Sequence, residues 1–374
     1  MRYAVDMKPL IENIIFRDQF EMLQEEKEGM LIEIIKKQLA LNEVNPNVGS
    51  MYRKLSIDIS KISKLSQVPF IPVNMFKIFD LLTCRKEDVI RVLNSSSTTS
   101  KTPSKIYLDK GTSIRQSQAL INTLKSFLGV TRKPLLVLDT GNVNKNKGVL
   151  NARGAAIRGI SNFASSITYV MDEEDGELEI NLPRLKKFEE ENKNKEILVY
   201  GFTYIIWSKF VTQLKKKNIK LSLPKMKLLH SGGWKKLVSE SVEKEEFNRV
   251  TAEIFGTEKS NVMDFYGMVE QLGVVFVDCE CGYKHVPDFA DIIIRDFNTL
   301  EEVEVEQQGI IEVLSILGTS YPSQGILTED VGEFIGIDDC SCGRRGKYFK
   351  FRSRIEKAET RGCGDTFAER EEKK

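Results

Sequence analysis

The chain has 374 residues, 41% hydrophobic and 29% charged, enough to bury one large core or two modest ones and too apolar for native disorder. Its 55 basic and 54 acidic residues give a formal charge of +1, so nothing in the charge balance favours a polyanion, and no nucleic-acid partner is expected. No apolar run approaches the ~20 residues of a membrane span, and the N-terminus carries Arg2, Asp6 and Lys8 where a signal peptide would be apolar. A cytoplasmic protein is expected, with its six cysteines as thiols or metal ligands and not as disulfides.

From Pro9 to about Leu41, apolar residues recur at helical spacing (Leu10, Ile14, Phe20, Leu23, Leu31, Ile34, Ile35), which predicts amphipathic helices. Pro69 and Pro72 bracket an irregular stretch. From about residue 106, short β-prone runs alternate with helical ones. Strands are predicted at 135–138, 197–200, 227–230, 262–265, 274–277, 290–295 and 310–314, and helices at 204–217 and 237–255. The alternation predicts an α/β fold of helix-covered sheets, and the closer spacing of the later strands predicts a β-rich subdomain. The charged run 369–374 reads as a frayed tail.

Three loops could carry chemistry. Ser95, Ser96, Ser97, Thr98, Thr99 and Ser100 are six consecutive hydroxyl residues, followed by Lys101. Hydroxyls and backbone amides donate to phosphate oxygens, and Lys101 or Lys105 supplies positive charge. The P-loop spacing is missing, and a flexible Ser/Thr linker accounts for the composition as well. Ser231-Gly232-Gly233-Trp234 follows a predicted strand, where α/β proteins present backbone to ligands, and its glycines would let the main chain lie flat on a planar group. A plain tight turn explains it equally. Asp264 to Glu270 again follows a strand: Tyr266 can stack on a purine, and Glu270 can hold Mg²⁺ bridging phosphates.

Two Cys-x-Cys pairs, Cys279/Cys281 and Cys340/Cys342, suit a structural Zn²⁺ in tetrahedral geometry, with His285 able to replace one cysteine. Reduced surface cysteines are the plainer reading. Cys84, flanked by apolar residues, reads as buried. No Gly-x-Ser-x-Gly elbow is present, which disfavours a serine hydrolase.

Taken in order, these motifs resemble the adenylate-forming superfamily of acyl-CoA ligases and luciferases. Tyr266-Gly267-Met268-Val269-Glu270 is similar to its Tyr-Gly-x-Thr-Glu motif, with Val269 in place of threonine. Thr328-Glu329-Asp330-Val331-Gly332 resembles its ribose-binding motif, which makes Asp330 the ribose ligand. Gly343-Arg344 resembles the hinge motif, which implies Arg344 at the nucleotide, with Lys350 and Arg354-Ile355 at matching later positions. Two departures stand out. Ser97 and Ser100 occupy positions where that family has glycine, and the family's C-terminal lid is nearly absent, leaving Lys350 as the stand-in for its catalytic lysine.

The stretch 354–364 resembles the C-terminus of LuxE-type acyl-protein synthetases, and 69–77, 151–156, 232–236 and 284–287 also match. The resemblance implies ATP and Mg²⁺ as cofactors, a fatty acid as substrate, and His285 near the acyl site. It also implies that Cys363 carries the acyl group to an acyl-CoA-reductase-like protein or another acceptor. An acyl-adenylate is a mixed anhydride that a thiolate attacks with AMP leaving, and Arg361 beside Cys363 favours the thiolate. The expected organisation is a helical segment at 1–65, an adenylate-forming domain at 66–343 and a tail at 344–374. Two rival readings are a phenylacetate-CoA ligase-like enzyme acting on CoA or a carrier protein, and a non-catalytic, zinc-stabilised binding subunit.

Overall fold

Residues 2–94, 103–144, 152–174, 177–233 and 241–355 are described by a computed structural model. Helices α1 (Arg2–Phe16), α2 (Gln24–Asn42) and α3 (Pro46–Lys54) come first. In α2 the buried Leu31, Ile34, Ile35 and Leu39 form the stripe that the spacing predicts. Helix α3 opens with proline in its first turn, and the Asn45 side chain accepts hydrogen bonds from the Asn47 and Val48 amides.

The short β1 (Ile71–Pro72) and α4 (Met75–Ile78) lead to a hairpin of β2 (Val89–Asn94) and β3 (Lys105–Asp109). Helix α5 (Lys110–Leu128) starts where the Asp109 carboxylate accepts from the Thr112 amide, and stops at Gly129, whose φ is +79°. Then follow β4 (Lys133–Thr140), α6 (Ala152–Ser161), β5 (Ala164–Glu174), β6 (Glu177–Ile180) and α7 (Leu182–Asn192). Next is β7 (Ile197–Phe202), and after it a helical stretch of α8 (Thr203–Ile205), a π turn (Ile206–Val211) and α9 (Thr212–Lys216). After β8 (Met226–Ser231), helix α10 (Lys244–Phe255) ends on Gly256 in the left-handed region. The remaining strands are β9 (Val262–Gly267), β10 (Val275–Val277), β11 (Lys284–His285), β12 (Ala290–Arg295), β13 (Gln308–Ser315), β14 (Gly325–Ile337) and β15 (Lys347–Arg354).

These strands form two large sheets. The seven-stranded sheet has the order β10-β9-β8-β7-β4-β5-β6, with β9, β8, β7, β4 and β5 all parallel. Every residue of β7 is buried, as a parallel strand covered on both faces requires. The six-stranded sheet runs β11-β15-β14-β13-β12 antiparallel, with β1 added in parallel to β14. Two cores result. One joins the parallel sheet to α5, α6, α7 and α10; the other joins α1, α2 and α3 to the antiparallel sheet.

The helix predicted at 237–255 begins at Lys244 within the described residues. Residues 241–243 stay outside it because Glu243, at the N-cap, has extended backbone (φ −59°, ψ 147°).

Candidate functional site

The parallel pairing of β8 and β9 sets His230 opposite Asp264 and Ser231 opposite Phe265. The Ser231-Gly232-Gly233 turn therefore lies beside Tyr266-Gly267, at the carboxyl ends of adjacent parallel strands, where α/β sheets bind ligands. Gly232 has φ +86°, and a Cβ there would stand 2.9 Å from Cδ1 of Phe202, so the position demands glycine. Around Gly233, no described atom lies within 4 Å of a Cβ position.

Tyr266 stacks on Phe276 with centroids 5.9 Å apart and packs against Phe351 at 5.2 Å. Its hydroxyl donates to Oδ2 of Asp330 at 2.8 Å, while Nε of Arg354 donates to Oδ1 at 3.0 Å. Burial, followed by the Asp330 carboxylate, pushes the Tyr266 hydroxyl well above its ordinary pKa, so it remains a donor. Asp330 is buried on β14 and lies opposite Arg354 on β15. The Tyr266 and Asp330 motifs thus meet through one three-residue cluster with Arg354. Glu270 is buried one short turn further on; its carbonyl accepts from the Tyr321 hydroxyl at 2.9 Å, and the neighbouring Gln271 side chain donates to the Ser323 carbonyl at 2.6 Å.

A buried polar network supports the strand ends from below. Lys284 Nζ lies 2.8 Å from Asp264 Oδ2 and 3.2 Å from Asp278 Oδ1, and Lys244 holds the other Asp278 oxygen at 2.8 Å. Burial opposes the charge on Lys284, but Asp264 and Asp278 outweigh it and raise its pKa. His230 Nδ1 is 2.9 Å from the Thr203 hydroxyl, which itself donates to the Ser231 carbonyl at 3.2 Å. Burial drives the His230 pKa down to about 4, so the imidazole is neutral. Thr203, Lys284 and Arg354 were not among the expected site residues. The sequence signal for Arg354 is its place in the hinge-like stretch, and for Lys284 its place in the matching stretch 284–287; Thr203 carries none.

The remaining expectations divide. Arg344, expected on the nucleotide, is instead bound to Glu280 at 2.6 Å and sits 4.3 Å over the Phe127 ring. It belongs to the loop closing the β14–β15 hairpin, whereas Asp330 lies at the open end, seven residues before the Ile337–Lys347 pair. At ~3.3 Å per strand residue, that is about 20 Å away. Lys350 pairs with Glu333, and its ammonium lies 5.2 Å from the Tyr283 ring centroid, on the strand face opposite the Phe349 and Phe351 that pack on Tyr266. His285, expected near acyl chemistry, is buried and stacked on Tyr348 at 5.3 Å. Its imidazole joins Cys279, Cys340 and Cys342, with all four donor atoms within 4.8 Å of one another. Cys281, expected as a ligand, is exposed outside that group, its thiol 3.1 Å from the Ser341 hydroxyl. Ser95, Ser96, Ser97, Thr98, Thr99, Lys101 and Cys363 lie outside the described residues. Among the described residues, no helix is long and apolar enough to cross a membrane.

The parallel sheet, the antiparallel sheet beside it and the Tyr266–Asp330 junction between them define the fold of the adenylate-forming ligases. A solved 2-hydroxyisobutyryl-CoA ligase in an open conformation, in complex with 2-HIB-AMP and CoA, superposes over 90% of this chain and 76% of its own with a TM-score of 0.64 at 15% identity. Within that class, the family model for acyl-protein synthetase LuxE matches residues 5–371, and the chain belongs to this family of ligases. It is 24% identical over 273 residues to the long-chain-fatty-acid–luciferin-component ligase of Aliivibrio fischeri, covering 72% of this chain and 69% of that protein. The corresponding ligase of Vibrio harveyi is 24% identical over 279 residues, covering 72% and 70%.

Proposed function

We propose that the chain activates a fatty carboxylic acid with Mg·ATP as acyl-AMP, takes the acyl group on Cys363 and delivers it to an acyl-CoA-reductase-like partner. The observation that carries this reading is the junction of Tyr266, Asp330 and Arg354 beside the Gly232-Gly233 turn. A buried carboxylate with its outer edge held by a tyrosine and an arginine suits the two hydroxyls of a ribose, and the glycine turn suits the adjoining base. The relatives' names, ligases of a long-chain fatty acid, support the choice of substrate.

In this mechanism a carboxylate oxygen attacks the α-phosphorus and pyrophosphate leaves. Ser97, Thr98, Thr99 and Lys101 hold the phosphates, and Glu270 would hold a Mg²⁺ ion, which would supply charge neutralisation. The Cys363 thiolate then attacks the acyl carbonyl carbon; AMP departs with the electron pair of the broken anhydride bond, leaving a thioester. A structural zinc ion joining the cysteine loops completes the reading.

Pyrophosphate exchange into ATP that depends on a long-chain acid is the expected result for the first half-reaction. Absence of exchange with every fatty and aryl acid tried would refute it. Cys363→Ser keeps exchange and loses labelled acyl attachment; label that persists on the variant removes Cys363 from the scheme.

A further inference from the structure

We infer that Cys279, His285, Cys340 and Cys342 form one closed tetrahedral zinc site, with Cys281 left outside it as a free thiol. The inference deepens the zinc component of the proposed function, and of the two ligand sets that the sequence leaves open it takes the one in which His285 replaces a cysteine, Cys281.

The loops repeat one design. Cys279-Glu280-Cys281-Gly282 and Cys340-Ser341-Cys342-Gly343 share the pattern Cys-x-Cys-Gly. In each, the glycine amide donates back to the carbonyl of the first cysteine, at 2.8 Å for Gly282 and 2.9 Å for Gly343. Both glycines lie in the left-handed region, at φ +80° and +84°. The turns are alike, but their thiols are not used alike. Cys340 and Cys342 both reach the cluster, whereas from the first loop only Cys279 does. The place that symmetry would give Cys281 is filled by His285, brought in because β11 pairs with β15 and sets His285 opposite Tyr348.

Distances fit the ion. Ligands at about 2.0–2.3 Å around tetrahedral Zn²⁺ stand roughly 3.3–3.8 Å apart. Cys279 Sγ and Cys340 Sγ are 3.9 Å apart, and Cys342 Sγ is 3.3 Å from His285 Nε2. No two of the four donor atoms are more than 4.8 Å apart. Burial fits as well: His285 is 0% exposed, Cys279 3% and Cys340 7%, with Cys342 half-buried, so all four donors come from the protein. Four protein ligands of sulfur and imidazole type select zinc over oxygen-loving cations and mark a structural role. Outside the cluster, Cys281 lacks that burial. The ion would clamp the loop before β11 to the loop before β15, fixing Glu280 against Arg344 and assigning His285 to the metal and not to the acyl group.

The test measures zinc on the purified full chain by elemental analysis, with cobalt(II) substitution followed by absorption spectroscopy. One zinc per chain is expected for the wild type and for Cys281→Ser. Cys342→Ser and His285→Ala should lower zinc affinity at least tenfold, and His285→Cys should restore it. The cobalt protein should show charge-transfer intensity for three thiolates, unchanged in Cys281→Ser and raised by a third in His285→Cys. A wild type without zinc overturns the inference. So does a Cys281→Ser variant that loses the ion or one thiolate's share of the cobalt band. Should His285→Ala not fold, the wild-type and Cys281→Ser spectra decide alone, since Cys281 is exposed. Pyrophosphate exchange, run on the same samples, separates the two readings: zinc without exchange leaves this site standing and removes the adenylation scheme, and exchange without zinc does the reverse.

Discussion

The adjacent glycines of the β8 turn separate folding from ligand binding, because their surroundings differ. At Gly232, alanine meets a left-handed φ of +86°, worth about 1–2 kcal/mol against a side chain. Its Cβ also lies 2.9 Å from Cδ1 and 3.3 Å from Cε1 of Phe202, a buried ring that must shift, adding about 1–2 kcal/mol of overpacking. Gly232→Ala should therefore lose about 3 kcal/mol in urea unfolding. At Gly233, φ is not left-handed and no described atom stands within 4 Å of the new methyl group, so Gly233→Ala should stay within about 0.5 kcal/mol of the wild type. If the turn lies flat on a nucleotide base, that same methyl group occupies ligand space, and the KM for ATP in pyrophosphate exchange should rise about tenfold, equivalent to ~1.4 kcal/mol. Unfolding curves and ATP titrations of both variants supply the comparison. A Gly233→Ala enzyme with unchanged KM, next to a destabilised Gly232→Ala, would mean that the turn is purely structural and that the base binds elsewhere.

Tyr266→Phe removes the hydroxyl bonded to Asp330 and keeps the ring on Phe276; together with Asp330→Asn it should be non-additive by about 1 kcal/mol in unfolding, and strict additivity would deny the contact. His230, with its pKa lowered to about 4 by burial, is neutral in the fold, whereas the unfolded chain protonates it near 6.5. Its contribution is therefore complete above pH 6.5 and is lost as pH falls towards 4, by up to about 3 kcal/mol. His230→Gln should flatten that slope, and an identical slope in the variant would assign the loss to other groups. Lys284→Met leaves Asp264 without its ammonium partner and Asp278 with Lys244 alone, and should cost about 3–5 kcal/mol by urea titration; a neutral result would contradict the burial of the cluster.

How much of this was legible in the sequence depended on burial pattern. Strands at 135–138 and 197–200 declared themselves because both faces of a parallel sheet are covered and the runs are apolar throughout. Strand β14 did not: Thr328, Asp330 and the half-buried Glu329 and Glu333 interrupt it, and their polarity is compensated by tertiary partners such as Tyr266, Arg354 and Arg352. Tyr266 and Asp330, 64 residues apart, were paired only through the family resemblance. Arg344 sits at the closed end of the β14–β15 hairpin and Asp330 at the open end, and spacing along the sequence does not say which end of a hairpin a residue occupies. The sequence leaves Cys281 and His285 both open as a zinc ligand for a similar reason. Two identical Cys-x-Cys-Gly motifs suggest symmetry, and only the pairing of β11 with β15 breaks it.

The first helices have partners that are made last. Gln24 donates to Asp291 across 267 residues, its amide reaches Asp338 across 314, and Lys27 is fully buried against the same Asp291. At roughly 5–20 residues per second of synthesis, these apolar and charged faces wait some 13–50 s on the ribosome before β12 emerges. Over that interval the α2 stripe of Leu31, Ile34, Ile35 and Leu39 has α1 and α3 to pack on but not the antiparallel sheet, and the nascent chain offers a docking face to chaperones early in translation.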